Sequence, residues 1–329
     1  MKKRYWLSIL LSCLFLYLAI RNVEYGKVRA ALVSANYIFV IPAMLMVIAS
    51  FLLRGLRWGY ILESTKKIGF NNLFGMMMIG FMVNNILPAR IGEVTRAYMI
   101  GRKENISRSL SFGTIVLERI FDGFALLFIL GLSMLLSPFP RWVKAFGLIS
   151  LLIFSLSMVF IVFLRIKRGF MVKKIESLAS VFHKGFSERI SYIFDRFIDG
   201  LASLENLKHT GFIIIYSIIS QIVLGMEFHL LLFSFGFNLP FYSPYFIAAI
   251  VGLSSMIPSA PGYIGVFQSF CVGGLILFGI NKDIALSYSI VCHIVQYIPV
   301  TGIGICYLIN ENIPISKIGG MKNESSKDG

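Results

Sequence analysis

The stretch MVNNILPARIGEVTRAYM, residues 82–99, decides the fold. It begins inside an apolar run. It then delivers two asparagines, a proline, a glycine, a glutamate and two arginines between Asn84 and Arg96. Proline removes a helical hydrogen bond and glycine loosens the backbone, so the apolar run from 73 breaks at NNILPARIG, 84–92. Residues 244–257 break the same way at SSMIPSAPG, 254–262, before the chain turns apolar again as far as 280. Both breaks read as two small polar residues, two apolar ones, a proline, three residues and a glycine. Pro88 matches Pro258 and Gly92 matches Gly262, at an offset of 170.

Outside the breaks, apolar runs occur at 6–20, 37–62, 110–136, 145–164, 210–235 and 284–309. A helix needs roughly 20 apolar residues to cross the ~30 Å hydrocarbon core. The first run is short, but Tyr5, Trp6 and Arg21 can anchor it at the two interfaces. It reads as an uncleaved signal anchor, with a cleaved signal peptide as the alternative. The offset of 170 carries 37–62 to about 207–232 and 110–136 to about 280–306, both close to runs already present. The chain therefore reads as a duplicated unit of span, broken hairpin and span, over about 37–136 and about 207–306. Broken backbone at membrane depth survives only where protein or water satisfies it, so both hairpins are expected to re-enter rather than cross. The weak point is 262–280, which is apolar and long enough to cross outright.

Composition agrees. Of 329 residues, 57% are hydrophobic and only 14% charged, with a mean hydropathy of +0.79. Soluble domains hold about 25% charged residues. The net charge of +15 points to loops held against anionic lipid headgroups, not to nucleic acid. With the N-terminus inside, the segments 1–5, 54–109, 165–209 and 310–329 carry 24 Lys and Arg, and the outer segments six. Both termini are then cytoplasmic, in the cell membrane. The fold class is an all-α polytopic membrane protein of inverted repeats, with about 6–8 transmembrane helices. One membrane domain covers 1–310, with a disordered tail at 311–329. In 165–209, Phe182, Phe186, Ile190, Ile193, Phe197, Leu201 and Leu204 recur at helical spacing, which predicts an amphipathic helix on the inner surface.

Two discontinuous helices in inverted repeats are a transporter pattern. A helix starting near Gly92 or Gly262 would attract an anion such as phosphate. Arg90 and Arg96 flank Glu93 at three-residue spacing, so all three can share one surface. Glu118, Arg119 and Asp122 lie inside a span, where charges are costly and face a partner or an aqueous cavity. A pairing of Arg90 or Arg96 with Glu118 or Asp122 follows, and the same cluster would also serve as a structural salt bridge. Glu227, inside the fifth span, is a candidate for proton coupling, whereas His229 reads as a packed histidine. Gln268 and Gln296 read as interhelical hydrogen-bonding groups. The four cysteines Cys13, Cys271, Cys292 and Cys306 form no CxxC pair, and no Walker loop, HExxH or dinucleotide fingerprint is present, so neither metal nor cofactor is expected.

NNILPARIGEVTRAYMI, LERIFDGFALL and IPSAPGYIGVFQ together resemble the flippase-like membrane domain family. This is the integral membrane domain of lysylphosphatidylglycerol synthetases and of stand-alone bacterial and archaeal proteins. The resemblance covers roughly 5–310. It implies a protein that moves an amphiphilic lipid between leaflets without ATP hydrolysis. The family pattern falls on Pro88, Arg90, Gly92, Glu93, Arg96, Glu118, Arg119, Asp122, Pro258, Pro261, Gly262 and Gly265. Gln268 stands where family members often carry glutamate, which weakens the case for a cationic lysyl-lipid. The aminoacyl-transferase domain of the synthetases is not expected, and lysyl transfer with it. A polyprenyl-phosphate transferase and a non-transporting envelope partner are the alternative functions. Whether the chain is an enzyme, and whether it forms oligomers, stays open.

Overall fold

A computed structural model describes residues 2–87, 90–180, 184–257 and 259–311, without the side chains of 2–9 and 184. Pro88, Pro258, Phe182 and the tail beyond 311 therefore lie outside the described residues, as do the side chains of the expected anchors Tyr5 and Trp6. Among the described residues there are thirteen α-helices and no strand. The all-α polytopic class is borne out. Four helical stretches are long and apolar enough to cross a membrane: Tyr37–Glu63, Arg141–Ile166, Leu207–Ser234 and Lys282–Asn310. They contain α3 (Val40–Glu63), α7 (Arg141–Ile166), α10 (Leu207–Ser234) and α13 (Lys282–Asn310). The helix α6 (Arg108–Leu136) matches them in length, with 29 residues, but carries Glu118, Arg119 and Asp122 half-way along. Starts are set by local capping. Asn36, Ser107, Asn206 and Asn281 each accept a backbone N–H at the entry to α3, α6, α10 and α13.

Both broken segments fold back on themselves. α4 (Phe70–Ile86) and α5 (Ile91–Glu104) form one helical hairpin. Its open end is closed by Glu104, which accepts from Asn72 at 2.7 Å and pairs with Lys66 at 3.0 Å. This lysine and amide, both donating to Glu104, hold its carboxyl below the usual range. α11 (Ser243–Ser254) and α12 (Val266–Ile276) form the second hairpin. There Phe278, just after α12, packs edge-on to Phe246 near the start of α11, with centroids 5.8 Å apart. The end of the segment 262–280 thus lies back beside the start of α11, and its helix has 11 residues.

The elements pair in a repeating way. Exchanging α3 with α10, α4 with α11, α5 with α12 and α6 with α13 reproduces the packing: α4 lies on α13 as α11 lies on α6, and α5 on α6 as α12 on α13. α3 and α10 run antiparallel. Asn36 meets Ser234 at one end, and Tyr60 stacks on Phe212 at the other. At their crossing the Ser50 hydroxyl donates to the Ser220 carbonyl at 3.0 Å. These two residues are related by the offset of 170, so equivalent positions face each other at the internal axis. The local match of Gly92 to Gly262 does not survive. Gly92 lies inside α5, where a Cβ would stand 1.9 Å from the Gly80 carbonyl oxygen. Gly262 is instead a left-handed turn residue with φ of 64°. The residues that open the second arm of each hairpin are Arg90 and Gly265, with φ of 53° and 89°.

The segment 165–209 is also not one helix. It splits into α8 (Arg168–Ala179) and α9 (Lys184–Asp199), which pack together. Arg168 reaches back to Asp195 at 2.6 Å and Asp199 at 2.7 Å. That guanidinium holds the Asp195 carboxyl below its ordinary range. α9 docks on α6 through the close contact of Gly200 with the Leu110 carbonyl. Phe186 and Ile193 stay exposed, and Leu201 is buried.

Gly92→Ala should destabilise the first hairpin by about 1–3 kcal/mol or more, because helix backbones must separate to admit the methyl group. Gly302→Ala, with nothing within 4 Å of the added atom, should leave the melting temperature in detergent unchanged.

Candidate functional site

The charged residues of three elements converge on one buried network. From α6, Glu118 is 0% and Asp122 2% exposed. Arg96 of α5 grips Glu118 with two parallel hydrogen bonds, at 3.1 and 2.7 Å. Such bidentate pairs are the strong ones. Arg119 also contacts Glu118, and it reaches Asp122 at 3.3 Å. The remaining partners come from α3. Arg57 donates to Asp122 at 2.5 Å and to the Ser217 hydroxyl at 2.8 Å, and lies 3.5 Å from Glu118. Arg54 lies 3.8 Å from Asp122. Two aromatic rings complete the setting: Trp58 lies 3.5 Å beneath the Arg96 guanidinium, and Phe81 5.3 Å from that of Arg119.

Arg54 and Arg57 were not among the residues singled out from sequence. Their position at the end of the apolar run 37–62 suggested a cytoplasmic loop, yet Arg57 is wholly buried inside α3. The spacing RGLR within a span was the available signal, since charges there face a partner. Of the expected pairings, Arg96 with Glu118 forms. Arg90 takes no carboxylate among the ion pairs of the described residues. Instead it sits at the tip of the first hairpin, 5.5 Å from the ring of Tyr263 at the tip of the second. Arg90 precedes α5 in a left-handed conformation, so it does not share a helix face with Glu93 and Arg96. Glu93 is half-buried, with one carboxylate oxygen buried and unpartnered.

The hairpin tips meet. Asn85 donates to Thr301 of α13 at 2.9 Å, and its carbonyl accepts from Tyr297 at 3.4 Å. Asn84 accepts the Gly92 N–H at 2.8 Å, which satisfies part of the α5 start and competes with an anion there. The second break is held differently. Gln268 accepts the Gly265 N–H at 2.7 Å and lies 2.8 Å from His293 Nδ1. His293 Nε2 lies 2.7 Å from the Gly262 carbonyl, which can only accept. His293 therefore carries its proton on Nε2 and accepts from the Gln268 amide on Nδ1. Gln268 caps α12 and orients His293; it does not face an open anion site. Pro261 opens the short turn to Tyr263, and Ser12 of α1 (Lys2–Ile20) accepts the Ala260 N–H at 2.7 Å.

Between the tips lies a cavity of about 140 Å³. Arg54, Arg90, Arg119, Asp122 and Asn85 line it, together with Gln221, His293 and Gln296 and with the apolar Leu126, Leu224, Val251, Met256 and Val300. Glu227 is wholly buried just outside this lining, where one oxygen accepts from Gln296 at 2.9 Å and the other has no partner. His229 packs edge-on to Phe233 at 4.8 Å, as a packed histidine would.

The family model for the lysylphosphatidylglycerol synthase TM region matches residues 5–304. The chain belongs to this family. Among curated relatives, a UPF0104 membrane protein of Methanothermobacter thermautotrophicus is 27% identical over 92% of this chain and 92% of its own length. Another, of Methanocaldococcus jannaschii, is 23% identical over 90% of this chain and 91% of the relative. The glycosyltransferase AglD of Haloferax volcanii is 33% identical over 38% of this chain and 20% of its own length. No solved structure matches. In this family member the network joins α3, α5 and α6, and the cavity reaches the tips of both hairpins.

Glu118→Gln should cost about 3–5 kcal/mol of stability, because it strands buried guanidiniums in the protein interior. Glu227→Gln, which keeps an acceptor for Gln296 and strands no cation, should cost less than about 1 kcal/mol. Thermal unfolding of both variants in the same detergent checks the contrast.

Proposed function

We propose that this protein carries an amphiphilic lipid between membrane leaflets without hydrolysing a nucleotide. The observation behind this reading is the cavity between two hairpin tips, lined both by arginines and by aliphatic and aromatic side chains. Such a mixed lining suits a molecule with a charged headgroup and an apolar tail. Arg54, Arg90 and Arg119 would bind the headgroup, while Glu118 and Asp122 hold the arginines in place. Arg96 and Arg57 are positioning residues in this scheme, tied to the carboxylates. The two hairpins would re-enter from opposite faces of the cell membrane. The loops Ser64–Gly69 and Glu104–Ser107 and the segment 165–209 gather at one end, as the Lys66–Glu104 pair and the contact of His209 with Ser64 support. With Arg102, Lys103 and Arg108 beside them, these segments hold 14 Lys and Arg, against six at positions 21, 27, 29, 141, 144 and 282, which supports a cytoplasmic orientation of that end and of both termini. Transport would draw on an ion gradient, with Glu227 as candidate coupling carboxylate, or on the lipid's own gradient.

A second reading is favoured by one observation. The partial match to the glycosyltransferase AglD is in keeping with a part in glycosyl transfer. Incubation with a polyprenyl-phosphate donor separates the two: a covalently changed lipid supports the transferase, and a relocated but intact lipid supports transport.

In proteoliposomes with a fluorescent phospholipid, quenching from outside should reach the inner-leaflet pool faster with the protein than without it. The double variant Arg54→Gln/Arg90→Gln should slow the rate by about tenfold or more, a barrier change of about 1.4 kcal/mol. Equal rates with and without protein would reject the reading.

A further inference from the structure

The network around Glu118 and Asp122 is not neutral. Arg54, Arg57, Arg90, Arg96 and Arg119 stand against Glu93, Glu118 and Asp122, an excess of two positive charges among the described residues. Glu227 does not offset it, since its polar contact among the described residues is the Gln296 amide. An excess of this size inside a membrane domain is costly without a counter-anion.

The excess faces the cavity. Arg54, Arg90 and Arg119 line it. They come from α3, from the tip of the first hairpin and from α6, so they approach the space from separate elements. Arg57 and Arg96 do not line it and are held on the carboxylates through their terminal nitrogens; Arg119 gives one terminal nitrogen to them, and Arg90 none among the described ion pairs.

We infer that the cavity takes a lipid whose headgroup is a doubly charged phosphate, either a phosphomonoester or a diphosphate, in preference to a phosphodiester. This rests on the lipid-carrier reading above and narrows its substrate class. A phosphomonoester has three terminal oxygens and a charge of about −1.5 to −2 at neutral pH, which matches a lining of three guanidiniums and an excess of two. A phosphodiester such as phosphatidylglycerol has two free oxygens and one charge. It leaves one arginine without an anion. A lysyl-lipid adds a cation to a site already positive.

The test uses the full-length protein in detergent with four probes: short-chain phosphatidic acid, phosphatidylglycerol and phosphatidylcholine of identical acyl chains, and inorganic phosphate. Affinity is read from the concentration dependence of the thermal midpoint. Phosphatidic acid should bind about tenfold or more tighter than phosphatidylglycerol, and tighter still than phosphatidylcholine. Arg90→Gln, at a position held by a ring contact alone among the described interactions, should collapse the preference while the unliganded midpoint stays unchanged. Arg54→Lys keeps the charge and should lose part of the preference, which gives a second variant if Arg90→Gln fails to fold. Phosphatidylglycerol binding as tightly as phosphatidic acid would overturn the inference and leave the carrier reading standing, because a lipid still binds. Failure of all three lipids to bind would overturn the carrier reading itself. Inorganic phosphate binding as tightly as phosphatidic acid would overturn the assignment of a lipid-borne phosphate.

Discussion

Two carboxylates, Glu118 and Asp122, anchor four guanidiniums where solvent barely reaches. Much of the fold depends on that arrangement. A charge in a membrane interior is expensive unless it is paired and hydrogen-bonded, so α3, α5 and α6 must meet at this point. α5 reaches it only because its helix restarts at the break after α4, and the Gly80–Gly92 contact lets the two arms lie close together. The hairpin, the network and the cavity are therefore one structural solution. Moving any arm away would leave buried charge without a partner.

The internal repeat supplies the architecture, and the differences between its halves supply the chemistry. Both halves pack alike, and α3 and α10 cross at serines related by the repeat offset. The first hairpin tip carries Arg90 and leads into Arg96. The second carries no charge in its break and is tied down by Gln268, His293 and the Gly262 carbonyl. Its neutral pins need no counter-ion, so the second tip can act as a fixed wall against which Arg90 and Tyr263 close. A glutamate at 268 would place a carboxylate beside His293 instead of an amide, which changes the proton balance of the wall.

Much of this is legible in the residues alone. Proline and glycine mark both breaks, because they act on the local backbone. The spans follow from apolar length, and the pairing of Arg96 with Glu118 follows from the cost of charge in a span. Other features were hidden for physical reasons. Arg54 and Arg57 sit at the end of an apolar run, where a buried arginine and a snorkelling one look the same in one dimension. The match of Gly92 to Gly262 was misleading because glycine serves two needs: close helix approach at 92, and positive φ at 262. The fold-back of 262–280 depends on Phe278 meeting Phe246, a contact between residues 32 apart that apolarity does not encode. The split of 165–209 into α8 and α9 rests likewise on Arg168 reaching Asp195.

The central claim is that two hairpins enter from opposite faces and meet in between. Sided cysteine labelling of membrane vesicles tests it most directly, in a background whose four native cysteines are replaced by alanine. Lys67→Cys and Arg102→Cys flank the first hairpin, and Asn238→Cys and Asn281→Cys flank the second; all four positions are exposed. A membrane-impermeant reagent should label 67 and 102 from one face, and 238 and 281 from the other. Labelling of 238 and 281 from opposite faces would mean that the second hairpin crosses the membrane, and it would contradict the account.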